Sequence, residues 1–422
     1  MVFGGYRVRL AALALAVFLT GAWQAVPESG PAAKLAAPNA AEINGVLKEL
    51  SAVTGFRIRH ELPFALISRE QVNAYIKDQI KRSVKPDDIR AQETTLKKLG
   101  FVPPDFDLKQ TTIDLLTEQA AAFYDFRRKK LFISNWAAVN MRDTAVIHEL
   151  AHALADQTFS IQKFLGKADD NSEASMAREA VVEGQASWLM LEVDARRNGR
   201  TMADPDVAHA LLDTDSDTTD NQYPVFNRAP LYLRKTMLFP YDAGEKFQEA
   251  VFQRDGKAGF AKVFQDPPSS TAQIDDPARY FNHEVFTSPK LPPPAKHARP
   301  YVTGSLGELE TRILLQQYVD AGTARALAPD LKGSSYRLDK TKGQKDKEPR
   351  VTLTYASEWR DDVAATLYFD AYRKVLTGKW KNVDVKNQSP DLFEGKSEDG
   401  YFKVIRDGVR VLSQEDFENP PA

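Results

Sequence analysis

The strongest constraint on this chain lies in residues 144–159, TAVIHELAHALADQTF, where apolar side chains surround His148, Glu149 and His152. Ala145, Val146, Ile147, Leu150, Ala151, Ala153, Leu154 and Ala155 fall on nearly every side of a helix, so the segment reads as a buried helix. Burying two imidazoles and a carboxylate is costly without partners, and metal coordination is one of the few ways to satisfy them. The spacing HExxH fits that reading. Residues four apart stand on one helical face, about 6 Å from each other, so both imidazoles can hold one ion. Glu149 lies about 100° round the helix, where it can still reach a water on that ion. Histidine fills only 6 of 422 positions, so chance seldom produces the pattern. Asp143 with Thr144 offers an N-cap. Asp156, one turn beyond His152, could brace a ligand imidazole or simply face water.

A zinc site that keeps one position open needs a third protein ligand. Residues 177–191, AREAVVEGQASWLML, read as a second apolar helix carrying Glu179 and Glu183 one turn apart. Either carboxylate could face the metal. HExxH followed by an inward glutamate is the pattern of gluzincins, zinc peptidases with a His, His, Glu ligand set. The tetrad Glu183, Gly184, Gln185, Ala186 resembles the form EGxA, in which the first glutamate is the ligand and Gly184 lets the two helices approach closely. On that resemblance Glu183 is the third ligand, with Glu179 as its support or substitute. The expected cofactor is one Zn²⁺ per chain.

Residues 1–25 carry Arg7 and Arg9 ahead of an apolar stretch from Leu10 to Leu19 and then small residues, the layout of a secretory signal. The apolar run is short for a membrane span, so removal is expected rather than anchoring. The chain has no cysteine, which rules out a lipid-anchored cysteine and any disulfide. A secreted or periplasmic bacterial enzyme fits better than a disulfide scaffold. The formal charge is −2, and losing two arginines with the leader makes it more negative, so no nucleic-acid partner is expected. Residues 26–41, rich in Pro and Ala, read as a flexible leader.

Residues 42–287 read as one unit. A weak strand is expected at 58–63, with His60 structural or exposed, then helices at 68–82, from Pro86 to near Gly100, and at 113–122. Residues 122–126 and 130–134 (AFYDF, KLFIS) flank Arg127, Arg128 and Lys129 as a β-hairpin leading to the HExxH helix. Such an edge strand could bind an extended peptide through its backbone or simply pack on the helices. Asp213, Asp215, Asp217 and Asp220 lack the glycine and terminal glutamate of an EF-hand loop, so 204–223 reads as a solvated loop. Residues 231–239 and 244–254 return to helical periodicity. A Pro-rich connector at 288–300, with His297 exposed, precedes a C-terminal part over 301–422. That part begins with a helix at 304–319. Strands follow at 334–338 and 351–355, a helix at 359–376 and a hairpin at 401–412 turning at Asp407-Gly408.

The stretches LGFVPPDFDL, AAFYDFRRKKLFI, HELAHALADQTF and REAVVEGQASWLM resemble a family of secreted bacterial proteins of the gluzincin type. The likeness continues through FPYDAGEKFQEAVF and GSLGELETRILLQQY and so covers most of the chain. It implies an α+β, mainly helical fold: a zincin-like catalytic core with an edge β-hairpin, plus a small C-terminal α+β element. It implies hydrolysis of a peptide or protein substrate, with His148, His152 and Glu183 on zinc and Glu149 as general base. Asp276 departs from the family, where many members have a histidine. If that histidine stabilises the tetrahedral intermediate, Tyr241, Tyr280, Arg279 and His283 are the donors left to replace it. The competing reading is a zincin-fold binding protein of the cell envelope without catalysis. Because two neutral imidazoles are needed, metal affinity and activity are expected to fall together below about pH 6.

Overall fold

The computed structural model describes residues 39–83, 85–119, 122–136, 139–168, 171–212, 223–341 and 349–421. The expected signal segment, nearly all of the leader and the Asp213 to Asp220 run lie outside them. Helix α1 (Ala40–Thr54) starts where Asn39 accepts from the N–H groups of Ala41 and Glu42 while Glu42 returns a bond to the Asn39 N–H; it ends at Gly55. Thus Ala40 and Ala41 are already helical. No strand forms at 58–63, where one was expected; the first strand, β1 (Phe64–Ile67), starts just beyond, and His60 is exposed. Helices α2 (Arg69–Ser83), α3 (Pro86–Leu99) and α4 (Leu108–Gln119) follow. The first is bonded at its start by the Ser68 hydroxyl, and the second is opened by Pro86 and closed by Gly100 at φ 85°.

The hairpin forms as expected, from β2 (Ala122–Asp125) and β3 (Lys130–Ser134). With β1 added parallel to β3 it makes a three-stranded sheet in the order β1-β3-β2, leaving β2 at an edge. Helix α5 (Val139–Phe159) lies against that edge and contains HExxH. It begins before Asp143 and Thr144, so these are helical residues and not its cap.

After α6 (Ile161–Gly166), helix α7 (Ser172–Arg197) extends the expected second helix at both ends and is capped by Asn171. Then come α8 (Pro205–Leu212), placed in what was expected to be loop, and α9 (Pro224–Arg228). The two helical stretches expected around Pro240 are one continuous helix, α10 (Leu231–Asp255). Proline removes one helix hydrogen bond, but α10 continues through Pro240; before it Leu238 packs with Leu115 and Phe226, and beyond it the helix packs along α7. Gln185 bonds Gln248 at 3.2 Å and the Trp188 indole bonds Glu249 at 2.6 Å. A Cβ on Gly184 would stand 2.0 Å from the Gly244 carbonyl carbon, and one on Gly244 would stand 2.4 Å from the Ala180 oxygen. The close approach that Gly184 permits is therefore with α10, not with the histidine helix. Glu183 and Gly184 point about 100° apart and serve different neighbours.

Short helices α11 (Gly259–Gln265), α12 (Thr271–Asp275) and α13 (Pro277–Phe281) lead to the Pro-rich connector, where His297 is exposed. Its last residues enter β4 (Ala298–Gly304). Beyond α14 (Glu308–Tyr318) and α15 (Ala321–Leu327) come β5 (Leu331–Thr341), β6 (Val351–Trp359), α16 (Asp362–Lys379), β7 (Val383–Gln388), β8 (Leu392–Ser397), β9 (Tyr401–Asp407) and β10 (Arg410–Phe417). The C-terminal sheet is larger than expected: seven strands, all antiparallel, in the order β4-β5-β6-β10-β9-β8-β7. The last strand thus sits at the centre. Helix α16 packs on β6, β9 and β10, while α14 touches α10, α12 and α16. One continuous apolar core runs from α1 through α5 and α7 to α16 and this sheet. Among the described residues, no helix is long and apolar enough to cross a membrane.

Candidate metal centre

Helix α5 presents His148 and His152 from successive turns, with ring centroids 4.6 Å apart and planes nearly perpendicular. From α7, Glu183 places one oxygen, Oε2, 3.1 Å from His148 Nε2 and 3.2 Å from His152 Nε2. All three residues are buried, and their ligand atoms lie within 4.8 Å of one another. Ligands on a tetrahedral zinc, at bonds of about 2.0–2.1 Å, stand about 3.3 Å apart. The observed separations match an edge of that tetrahedron. Two imidazole nitrogens and one carboxylate oxygen are also the chemistry zinc takes.

Glu149 is fully buried and split in function between its two oxygens. Oε2 accepts the backbone N–H of Tyr124 on β2 at 2.6 Å. Oε1 is buried with no hydrogen-bond partner among the described residues, so it is the oxygen that carries the proton of the neutral acid and, once ionised, the acceptor for a water or substrate proton. Burial pushes the Glu149 carboxyl up to about 8; His152 and the Tyr124 N–H oppose the rise and Glu183 adds to it. Burial also brings His148 down to about 4, so it is neutral and able to ligate at neutral pH. For Glu183, burial works upward, but His152 and His148 overcome it and hold the carboxyl well below its usual range. His152 is raised, because Glu183, Glu149 and Asp156 outweigh its burial.

Asp156 does not bond to His152. Its carboxylate accepts from the Tyr124 hydroxyl at 2.9 Å, from Lys129 Nζ and from the Ile161 N–H at 2.9 Å. It therefore fixes the hairpin onto α5 rather than bracing a ligand. Glu179 is half-buried and outside the three-ligand cluster.

Of the four proposed donors, one reaches the centre. The Tyr241 ring, on α10, stacks 5.9 Å from the His148 ring. Of the other three, two are engaged elsewhere and one faces solvent. The Tyr280 hydroxyl donates to the Asp266 carbonyl at 2.7 Å, and burial pushes that phenol up to about 12. Arg279 binds Glu308 at 3.0 Å and the Pro329 carbonyl at 2.6 Å. His283 is exposed with φ 51°. Asp276 is an ordinary cap, accepting from the Ala278 N–H at the start of α13.

Tyr124 is the functional neighbour that local sequence patterns miss. Its backbone holds Glu149 and its hydroxyl holds Asp156, yet the only signal for it was its place in the strand before HExxH. Phe126, two residues on, sets its ring edge-on to His152 at 5.9 Å. Comparison of the chain with protein-family models, curated proteins and solved structures returns no match.

Proposed function

We propose that this chain is a secreted or periplasmic zinc peptidase of the gluzincin type, built on a zincin-like core. The observation that carries the reading is the convergence of His148, His152 and Glu183 beside a buried Glu149 oxygen that lacks a partner. When bound, zinc would act as a Lewis acid toward the scissile carbonyl and bring a water's pKa to about 7. With the metal in place, Glu149 would take a water proton through Oε1 and hand it to the leaving amine, while the Tyr124 N–H keeps the carboxylate aimed. The Tyr241 hydroxyl is the donor for charge developing on the carbonyl oxygen. Strand β2 is buried under α5 along its whole length, and its Tyr124 N–H is engaged by Glu149, so its part is to hold the base rather than to pair with a peptide.

Elemental analysis of the purified protein tests the ligand set. One zinc per chain, lost in Glu183→Ala and kept in Glu179→Ala, supports it. No zinc in the wild type after incubation with excess metal overturns it. Zinc without peptide cleavage, in a screen where Glu149→Ala serves as blank, leaves a binding protein on the same scaffold. Asp276, standing where the resembling family has a histidine, is the feature that favours this second reading.

A further inference from the structure

Helix α10 has two working faces. Tyr241 and Gly244 look toward the metal centre and α7, whereas Lys235, Phe239, Asp242 and Lys246 recur at helical spacing on another side. That second face forms one wall of a half-open cleft of about 570 Å³, closed by α12, α14 and α15. The volume falls in the range of small-molecule sites. Buried Phe239, Ile274, Leu309 and Ile313 supply an apolar floor.

Four cations, Lys235, Lys246, Arg312 and Arg325, line the cleft against two acids, Asp242 and Asp275. Arg312 and Asp275 neutralise each other at 2.7 Å. Lys246 and Arg325 are exposed and make no salt bridge among the described residues, which places the surplus positive charge at the rim. An apolar floor under a rim where cations outnumber acids selects for a ligand with both an apolar body and a negative head. A cation would meet repulsion there, and a small inorganic anion would leave the floor unused.

We infer that this cleft binds a small amphipathic anion, its apolar body on Phe239, Ile274 and Ile313 and its single carboxylate or sulfonate head held by Lys246 and Arg325. Such a ligand braces α10 against α14 and α15. The inference is independent of whether the centre on α5 and α7 holds metal.

Fluorescence titration of the full chain with 8-anilinonaphthalene-1-sulfonate at low ionic strength tests it, with octanoate and inorganic phosphate as competitors. The expected result is one saturable site per chain, displaced by octanoate and not by equimolar phosphate. Affinity is expected to fall about tenfold or more in Lys246→Glu/Arg325→Glu and to hold in the control Lys77→Glu/Lys109→Glu. The neutral pair Lys246→Gln/Arg325→Gln, checked for native circular dichroism, should fall between. The inference is overturned by the absence of a saturable site, by equal loss in the control pair, by retained affinity in the charge-reversed pair, or by phosphate competing as well as octanoate.

Discussion

The backbone N–H of Tyr124 meets the Glu149 carboxylate at 2.6 Å, joining the edge of a three-stranded sheet to the helix that carries both histidines. The bond fixes one oxygen of Glu149 and leaves the other buried and unbonded. A side-chain base held by main chain is insensitive to the identity of residue 124 at that contact. The residue's hydroxyl performs a separate task, at Asp156.

Glu149→Gln keeps the shape and the acceptor for Tyr124 but cannot take a proton. Peptide cleavage should fall by about 10²–10⁴-fold, the usual contribution of a positioned base, while zinc content stays at the wild-type level. Mass spectrometry of a mixed peptide library, alongside elemental analysis, measures both. Undiminished cleavage would remove Glu149 from the mechanism.

Tyr124→Phe deletes one bond to a fully buried carboxylate that keeps Lys129 and the Ile161 N–H. Urea unfolding should show a loss of about 1–2 kcal/mol. Metal content should not change, because the main-chain bond to Glu149 survives. Loss of zinc in this variant would show that the hairpin, and not the helix pair, sets the ligand geometry.

Gly184→Ala puts a methyl group 2.0 Å from the Gly244 carbonyl carbon. Alanine favours helix by about 1 kcal/mol over glycine, but here α7 and α10 must move apart, and overpacking costs about 1–3 kcal/mol or more. The melting temperature should drop, and Gly244→Ala should behave alike. A rise in melting temperature for either would contradict the backbone contact between these helices.

Glu173 is buried at the start of α7. Burial, and then the negative charge of Glu310, push its carboxyl well above the usual range. One oxygen accepts from the Thr271 N–H and hydroxyl, at 2.9 and 2.8 Å. The folded state keeps this proton after the unfolded chain, near pH 4.3, has lost it. Stability from Glu173 is therefore full below about pH 4.3 and declines as pH rises toward the folded pKa. Glu173→Gln keeps the acceptor without the charge, so it should be more stable than wild type at pH 8, with the gap closing toward pH 5. Denaturant titrations at the two pH values check the sign; a gap that widens in acid would refute it.

The histidine pair was legible because apolar surroundings and a four-residue spacing are local properties of a chain; these left Glu179 and Glu183 both open, and only the resemblance of the tetrad at Glu183 to EGxA chose between them. The hairpin was legible from AFYDF and KLFIS flanking a charged turn. Strand β1 was set too early because FALI is short and unbroken by polar residues, and its parallel pairing with β3 is a contact between distant segments. Strand β4 hides in proline-rich ARPYVTG, and β7 is an edge strand with almost every residue exposed. Pro240 divided α10 in the sequence reading because the surfaces the helix packs on, α7 above all, are remote in sequence. The same remoteness concealed which neighbour Gly184 approaches, and why Tyr241 alone among four candidate donors stands beside His148.

Strand β10, the last of the seven to be synthesised, lies between β6 and β9 in the middle of its sheet; near its end Asp416 reaches back to Lys98, in the first third of the chain, at 2.8 Å, and Glu415 pairs with Lys379 at the end of α16. The order of assembly follows. Strands β4 to β9 cannot close into one sheet before β10 is made, since β10 joins the β4-β5-β6 group to the β9-β8-β7 group. The finished sheet rests on contacts of high sequence separation, and such topologies form slowly.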